Sequence, residues 1–179
     1  MSVNEIGLMT ESKDRSVHSG AHAEKLHVDV RDMSRDEAVA LLERHHVGRI
    51  GISFHDLVRV KLASYLYSEG WLYARTELGE DLTTVKHHPW AAFEVDEVEG
   101  IYDWRVVEVA GGVEILSSEF HSPDWPQFEN AVRLLRSAVP QVLTADDPMP
   151  QRAQVIRMHV DNIRGHESRS SGASALPRP

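Results

Sequence analysis

The chain contains no cysteine. Disulfides, thiolate metal sites and cysteine nucleophiles are therefore excluded. Long apolar runs are also missing, and none approaches the ~20 residues a helix needs to cross a bilayer. The first stretch of chain is polar and has no apolar segment of the secretory-signal kind. Positive charge is scarce: 19 Lys and Arg stand against 28 Asp and Glu, a net charge of -9. That balance argues against a general nucleic-acid or anionic-membrane surface. Gly-x-Gly-x-x-Gly, Walker, Gly-x-Ser-x-Gly and His-Glu-x-x-His patterns do not occur. The expectation is a cytoplasmic protein with no nucleic-acid or membrane partner.

What is present suffices for one folded domain: 179 residues, 41% of them apolar. Residues 1–24 are polar and aperiodic and read as a flexible tail. Residues 168–179 read as a second, which leaves 25–167 as the domain. Leu26, Val28 and Val30 alternate with polar residues as a short strand. Ser34-Arg35-Asp36-Glu37 is a capping box opening a helix with Ala38, Leu41 and Leu42 on one face. Strands follow over Val47–Phe54, Leu57–Tyr67, Trp71–Arg75 and Trp90–Asp96. Leu78, Leu82 and Val85 are spaced as a short helix stopped before Pro89. Asp103–Leu116 reads as one bent strand kinked at Gly111-Gly112. A helix is expected over Ser122–Val139, a loop over 140–151, and a closing strand over Val155–Ile163. About seven short sequential strands with two or three helices predict a mainly β, antiparallel barrel.

Arg59 and Lys61 share one face of their strand, opposite Val58, Val60 and Leu62, and Arg75 lies across the hairpin. Two readings stay open: a solvated polar face, or an anion site in which three clustered cations are relieved by a bound negative charge. Glu80 and Asp81 fall in the first turn of the short helix, where acids complement the helix dipole. An anion placed there meets repulsion of ~1 kcal/mol per contact in water and ~4 at intermediate dielectric. The adjacent pairs His45-His46 and His87-His88 point apart and read as surface or helix-end histidines, so no metal site is expected. The acids from Glu94 to Asp103 lack the spacing of a calcium loop. Trp71, Tyr73 and Trp90 read as core or interface, and Trp104 as the aromatic best placed for a planar ligand.

Taken together, Val47-Gly48-Arg49, the Arg59-Val60-Lys61 strand, Gly70, Tyr73-Ala74-Arg75-Thr76, Gly79-Glu80-Asp81, His88-Pro89 and Trp104-Arg105-Val106-Val107 resemble a known order. It is that of the pyridoxamine 5′-phosphate oxidase-like flavin-binding split barrels, and most nearly of their nitroimidazole-resistance type. The resemblance covers roughly residues 30–165. It implies an FMN-binding Greek-key split barrel that forms a homodimer with cofactor sites at the subunit interface. It implies a cofactor site at Arg59, Val60, Lys61, Arg75, Thr76, Gly79, Glu80, Asp81 and Trp104. It also implies an FMN-dependent oxidoreductase acting on a small molecule. The chain departs from the pattern at Glu80 and Asp81, where the family carries two cations for the flavin phosphate. That departure keeps two alternatives open: a non-catalytic binding or sensor protein on the same fold, or a split barrel using a deazaflavin or haem.

Overall fold

The structure, a computed structural model, describes residues 25–54, 57–77 and 85–172. Its eight strands are β1 His27–Asp32, β2 Val47–Phe54, β3 Leu57–Ser68, β4 Trp71–Thr76, β5 Trp90–Val98, β6 Trp104–Leu116, β7 Gln154–His159 and β8 Asn162–Ser171. Helix α1 spans Arg35–Arg44 and α2 spans Trp125–Ala138, and residues 85–87 form a helical turn. All pairings are antiparallel. The order β6-β5-β2-β3-β4-β7 returns to β6, so six strands close a barrel, while β8 and β1 extend the sheet beyond it. The expected antiparallel split barrel is present. No described helix is long and apolar enough to cross a membrane.

Closure depends on β6 serving two partners. Trp104–Ala110 pairs with β8 and Val113–Leu116 pairs with β7, and the change falls at Gly111-Gly112. The glycines mark the kink expected there. A Cβ on Gly111 would lie 1.7 Å from the His159 carbonyl oxygen, so β7 approaches the β6 backbone closer than any side chain permits.

The closing segment differs from expectation. A single strand from Val155 to Ile163 is replaced by two strands, β7 and β8, broken at Val160-Asp161. Two hydrogen bonds explain the break. The Val160 N–H donates to the Gly70 carbonyl at 2.9 Å, and the Asp161 carboxylate accepts the Gly112 N–H at 3.1 Å. The chain thus leaves β4 and crosses to the other half of β6. Ile156, Met158 and Val160 alternate straight into the break, so periodicity does not reveal it. β8 then continues to Ser171, into the stretch read as a tail, paired with β1 on one side and β6 on the other.

Helix α1 begins as its capping box dictates. The Glu37 N–H donates to Ser34 Oγ at 3.2 Å, and the Ser34 N–H donates to Glu37 Oε2 at 2.7 Å. Arg31 bonds the same carboxylate, and this, followed by the Ser34 bonds, holds the Glu37 pKa down at about 2. Ala38, Leu41 and Leu42 are buried against the barrel core. Tyr65 joins them, donating its hydroxyl to the Leu42 carbonyl at 2.9 Å and meeting Phe93 edge-on at 4.9 Å. Burial raises the Tyr65 pKa well above the ordinary phenol value. A second cluster, including Tyr73, Leu116, Ala131, Leu135 and Val155, seats α2 outside β4 and β7.

The alternation of β3 is as expected, but its polar face turns toward the barrel mouth. Its apolar face points outward, with Val58 72%, Val60 64% and Leu62 62% exposed.

Candidate functional site

The barrel mouth holds a cleft of about 290 Å³. Its floor is apolar: Ile50 and Ile52 from β2, Ala63 from β3, Val113 from β6 and Ile156 from β7. These residues face inward because β-strand side chains alternate, and the ring of six strands gathers one face of each. The rim is polar. Lys61 comes from β3, Arg75 and Thr76 end β4, Glu77 follows them, and Arg152 precedes β7. A hollow of about 540 Å³ adjoins the cleft, sharing Val85 and Val113, and runs on past Pro89 toward Ser117 and Gln154. An apolar floor with a few convergent polar groups is the general form of a small-molecule site.

The charges on this rim are unequal in what they offer a ligand. Arg75 forms a two-pronged ion pair with Asp147, with Nη2 at 3.2 Å from Oδ1 and Nη1 bonded to Oδ2. Both side chains are shielded from water, at 9% and 2% exposure. Asp147 also accepts the Leu143 N–H at 2.7 Å and the Met149 N–H at 2.9 Å. The Arg75 guanidinium, and then the backbone donors, hold the Asp147 carboxyl far below the ordinary aspartate range. Glu77 is exposed to solvent, where its charge is screened.

The pyridoxamine 5′-phosphate oxidase profile matches residues 34–167, which include all eight strands except β1 and the end of β8. The chain belongs to the pyridoxamine 5′-phosphate oxidase family. No curated protein matches it in sequence. Solved structures agree on the fold. A FAD-binding protein from Mesorhizobium loti is similar with TM-score 0.62 and 23% identity, over 77% of this chain and 97% of its own. A candidate 5-nitroimidazole antibiotic resistance protein from Bacteroides thetaiotaomicron aligns with TM-score 0.62 and 13% identity, over 84% and 96%. A flavocytochrome from Azotobacter vinelandii aligns with TM-score 0.58 and 14% identity, over 80% and 70%.

Within this family member, the residues singled out by sequence separate into groups. Lys61, Arg75 and Thr76 meet in the cleft. Arg59 lies on the same face of β3 and is half-buried. Val60 lies on the opposite face, lining an outer groove with Val58, Gly51 and Ala92. Trp104 is at the far end of β6, in a crevice with Glu97, Arg105 and Glu167, away from the cleft. Gly79, Glu80 and Asp81 lie outside the described residues. The acids from Glu94 to Asp103, which lack a calcium loop's spacing, include members of an ion-pair network. Glu97 binds Arg44, His45 and Arg105, while Asp96 binds Arg49. Buried Glu167 binds Arg31, Arg105 and Arg169. Among the described residues there is no cluster of three metal-ligating side chains.

Arg152 was not foreseen. It sits in no periodic pattern, directly after a loop rich in proline and aspartate. Only the β4–β7 pairing, in which Thr76 opposes Gln154, brings it to the rim.

Proposed function

We propose that this chain binds FMN in the barrel-mouth cleft and acts as an oxidoreductase on a small molecule. One observation carries the reading: an apolar floor of Ile50, Ile52, Val113 and Ile156 beside a cationic and hydroxylic rim of Lys61, Arg152 and Thr76. That combination complements a planar apolar ring with an anionic tail. Family membership and the FAD-binding Mesorhizobium loti protein support the choice of a flavin. Lys61 and Thr76 would hold the phosphate, and the floor would cover part of the ring system and keep water from it. The flavin supplies the hydride or electron chemistry, and the chain binds and orients it. The test is a fluorescence titration with FMN, followed by anaerobic addition of NADH and NADPH. Saturable binding, weakened ~10-fold by Lys61→Met through loss of one charge-assisted contact, with bleaching of the flavin band, is the expected result. FMN that binds but is reduced by neither nucleotide favours the non-catalytic reading.

The same reading includes a homodimer. Leu57, Val58, Val60, Leu62 and Trp90 are all more than half exposed. They flank the outer groove that Val58 and Val60 line. Strand register sets Arg49, Glu94, Glu108 and Arg164 in a row across β2, β5, β6 and β8. An apolar strip beside charges of both signs suits self-complementary packing about a two-fold axis. Val60→Glu would bury a carboxylate in that contact, and the dimer is expected to weaken ~100-fold or more. Sedimentation velocity reads the change. A variant that sediments like the native protein at every concentration rules this face out as the contact.

A further inference from the structure

We infer that Arg152 anchors the cofactor's phosphate, a role for which the sequence offered Arg59, Lys61 and Arg75 together, and that the Arg75–Asp147 pair is the clamp that places it. The inference rests on the proposed flavin site and adds the residue that gives that site its preference for a phosphorylated ligand.

Three observations carry it. First, Arg75 lines the cleft, but its charge is cancelled. Its guanidinium is committed to Asp147 in a two-pronged pair, and Asp147 is itself fully engaged by the Leu143 and Met149 N–H groups. A phosphate approaching Arg75 meets a guanidinium whose charge is balanced by Asp147 and two of whose five N–H donors are already committed to it. Second, those bonds fold the segment from Leu143 to Met149 around the Asp147 carboxylate, and the Arg152 N–H continues it with a bond to the Met149 carbonyl at 3.0 Å. Arg136 secures the start of the segment by donating to the Val142 carbonyl at 2.9 Å and the Leu143 carbonyl at 3.3 Å. The stretch before β7 is therefore held at both ends, and Arg152 leaves it into the cleft. Third, Arg152 is half-buried on the rim that also carries Lys61 and Thr76, and among the described residues no carboxylate pairs with it. A planar guanidinium and a hydroxyl around one opening are donors that a phosphate monoester's oxygens accept from. Asp147 and Arg75 act here as positioning residues and do not touch the ligand.

The test compares FMN with riboflavin, which has the same ring system and no phosphate, by fluorescence titration of native protein, Arg152→Met and Arg152→Lys. Arg152→Met is expected to weaken FMN ~10-fold or more while leaving riboflavin within about twofold. Arg152→Lys should recover part of the loss, because the charge returns without the fork. The melting temperature of each variant is taken in parallel, and Arg152→Gln replaces any variant that melts early. Unchanged FMN affinity in Arg152→Met overturns the inference while the flavin reading stands. An equal fall for FMN and riboflavin also overturns it, since it places Arg152 against the ring and not the phosphate. Native protein that binds neither ligand overturns the flavin reading and this inference with it.

Discussion

Gly111→Ala is expected to prevent the barrel from closing. The added methyl carbon would stand 1.7 Å from the His159 carbonyl oxygen, 2.9 Å from its carbonyl carbon and 3.0 Å from Asp161 Oδ2. The first two are backbone atoms and cannot rotate away. His159 is the last residue of β7, paired with Trp71 of β4, and Gly111 is paired with Ala91 of β5. Relief requires the two strands to part by more than an ångström at the point where β6 exchanges β8 for β7. Overpacking against mobile side chains costs ~1–3 kcal/mol. Against two fixed backbones the cost is expected at ~4 kcal/mol or more, a large share of the ~5–15 kcal/mol that stabilises a domain. Gly112→Ala is the control. Its Cβ would find only the Pro89 carbonyl oxygen, at 3.8 Å, which is ordinary contact. That variant should stay within ~1 kcal/mol of native and is helped by the reduced freedom of its unfolded chain. Urea unfolding followed by circular dichroism reads both. A Gly111→Ala protein with a native midpoint would mean that β6 and β7 do not approach in this way.

Gly111 shows what in this fold was legible from sequence. A glycine pair inside an otherwise alternating strand announces a kink, and the kink is there. It does not announce that the strand changes partner, because the partner is separated from it by a helix and a loop. The capping box of α1 was readable because both halves of the device lie within four consecutive residues. The break between β7 and β8 was hidden because the bonds that cause it come from Gly70 and Gly112, both remote in sequence. The face of β3 stayed open between two readings for a related reason. Charge on one side and valine on the other suit a solvated polar face as well as a strand that turns its charges toward a barrel mouth and leaves its valines outside. Of the site, Lys61 and Thr76 were legible as motif members. Arg75 was legible as a cation but not as half of an ion pair, since Asp147 lies in a loop with no regular spacing to it. Arg152 became visible only once β7 was laid beside β4.

The loop that carries Arg152 yields the second large effect: Asp147→Ala is expected to lower the melting temperature by roughly 10 °C, the range for breaking a water-shielded ion pair in a protein of this size. Three groups lose their partner together. Arg75 keeps a charge at 9% exposure, and the Leu143 and Met149 N–H groups lose their acceptor. Leu143 adds to the loss, because it holds a left-handed backbone with φ of 55°, which a leucine adopts only when neighbours enforce it. Removing both charges should cost less than removing one. Arg75→Leu/Asp147→Leu leaves no orphaned ion, and its melting temperature is expected above that of Asp147→Ala. The pH dependence identifies the cause. Because the native Asp147 pKa is depressed, its contribution is complete at neutral pH, begins to fade below about pH 4 where the unfolded chain takes up protons, and continues to fade toward the lower native value. The gap in melting temperature between native protein and Asp147→Ala should therefore narrow steadily under acid and stay constant between about pH 6 and 8, where this carboxyl does not titrate in either state. A gap of the same size at about pH 2.5 as at neutrality would show that the alanine acts through lost packing, and that the Arg75–Asp147 clamp contributes no charge-dependent stability.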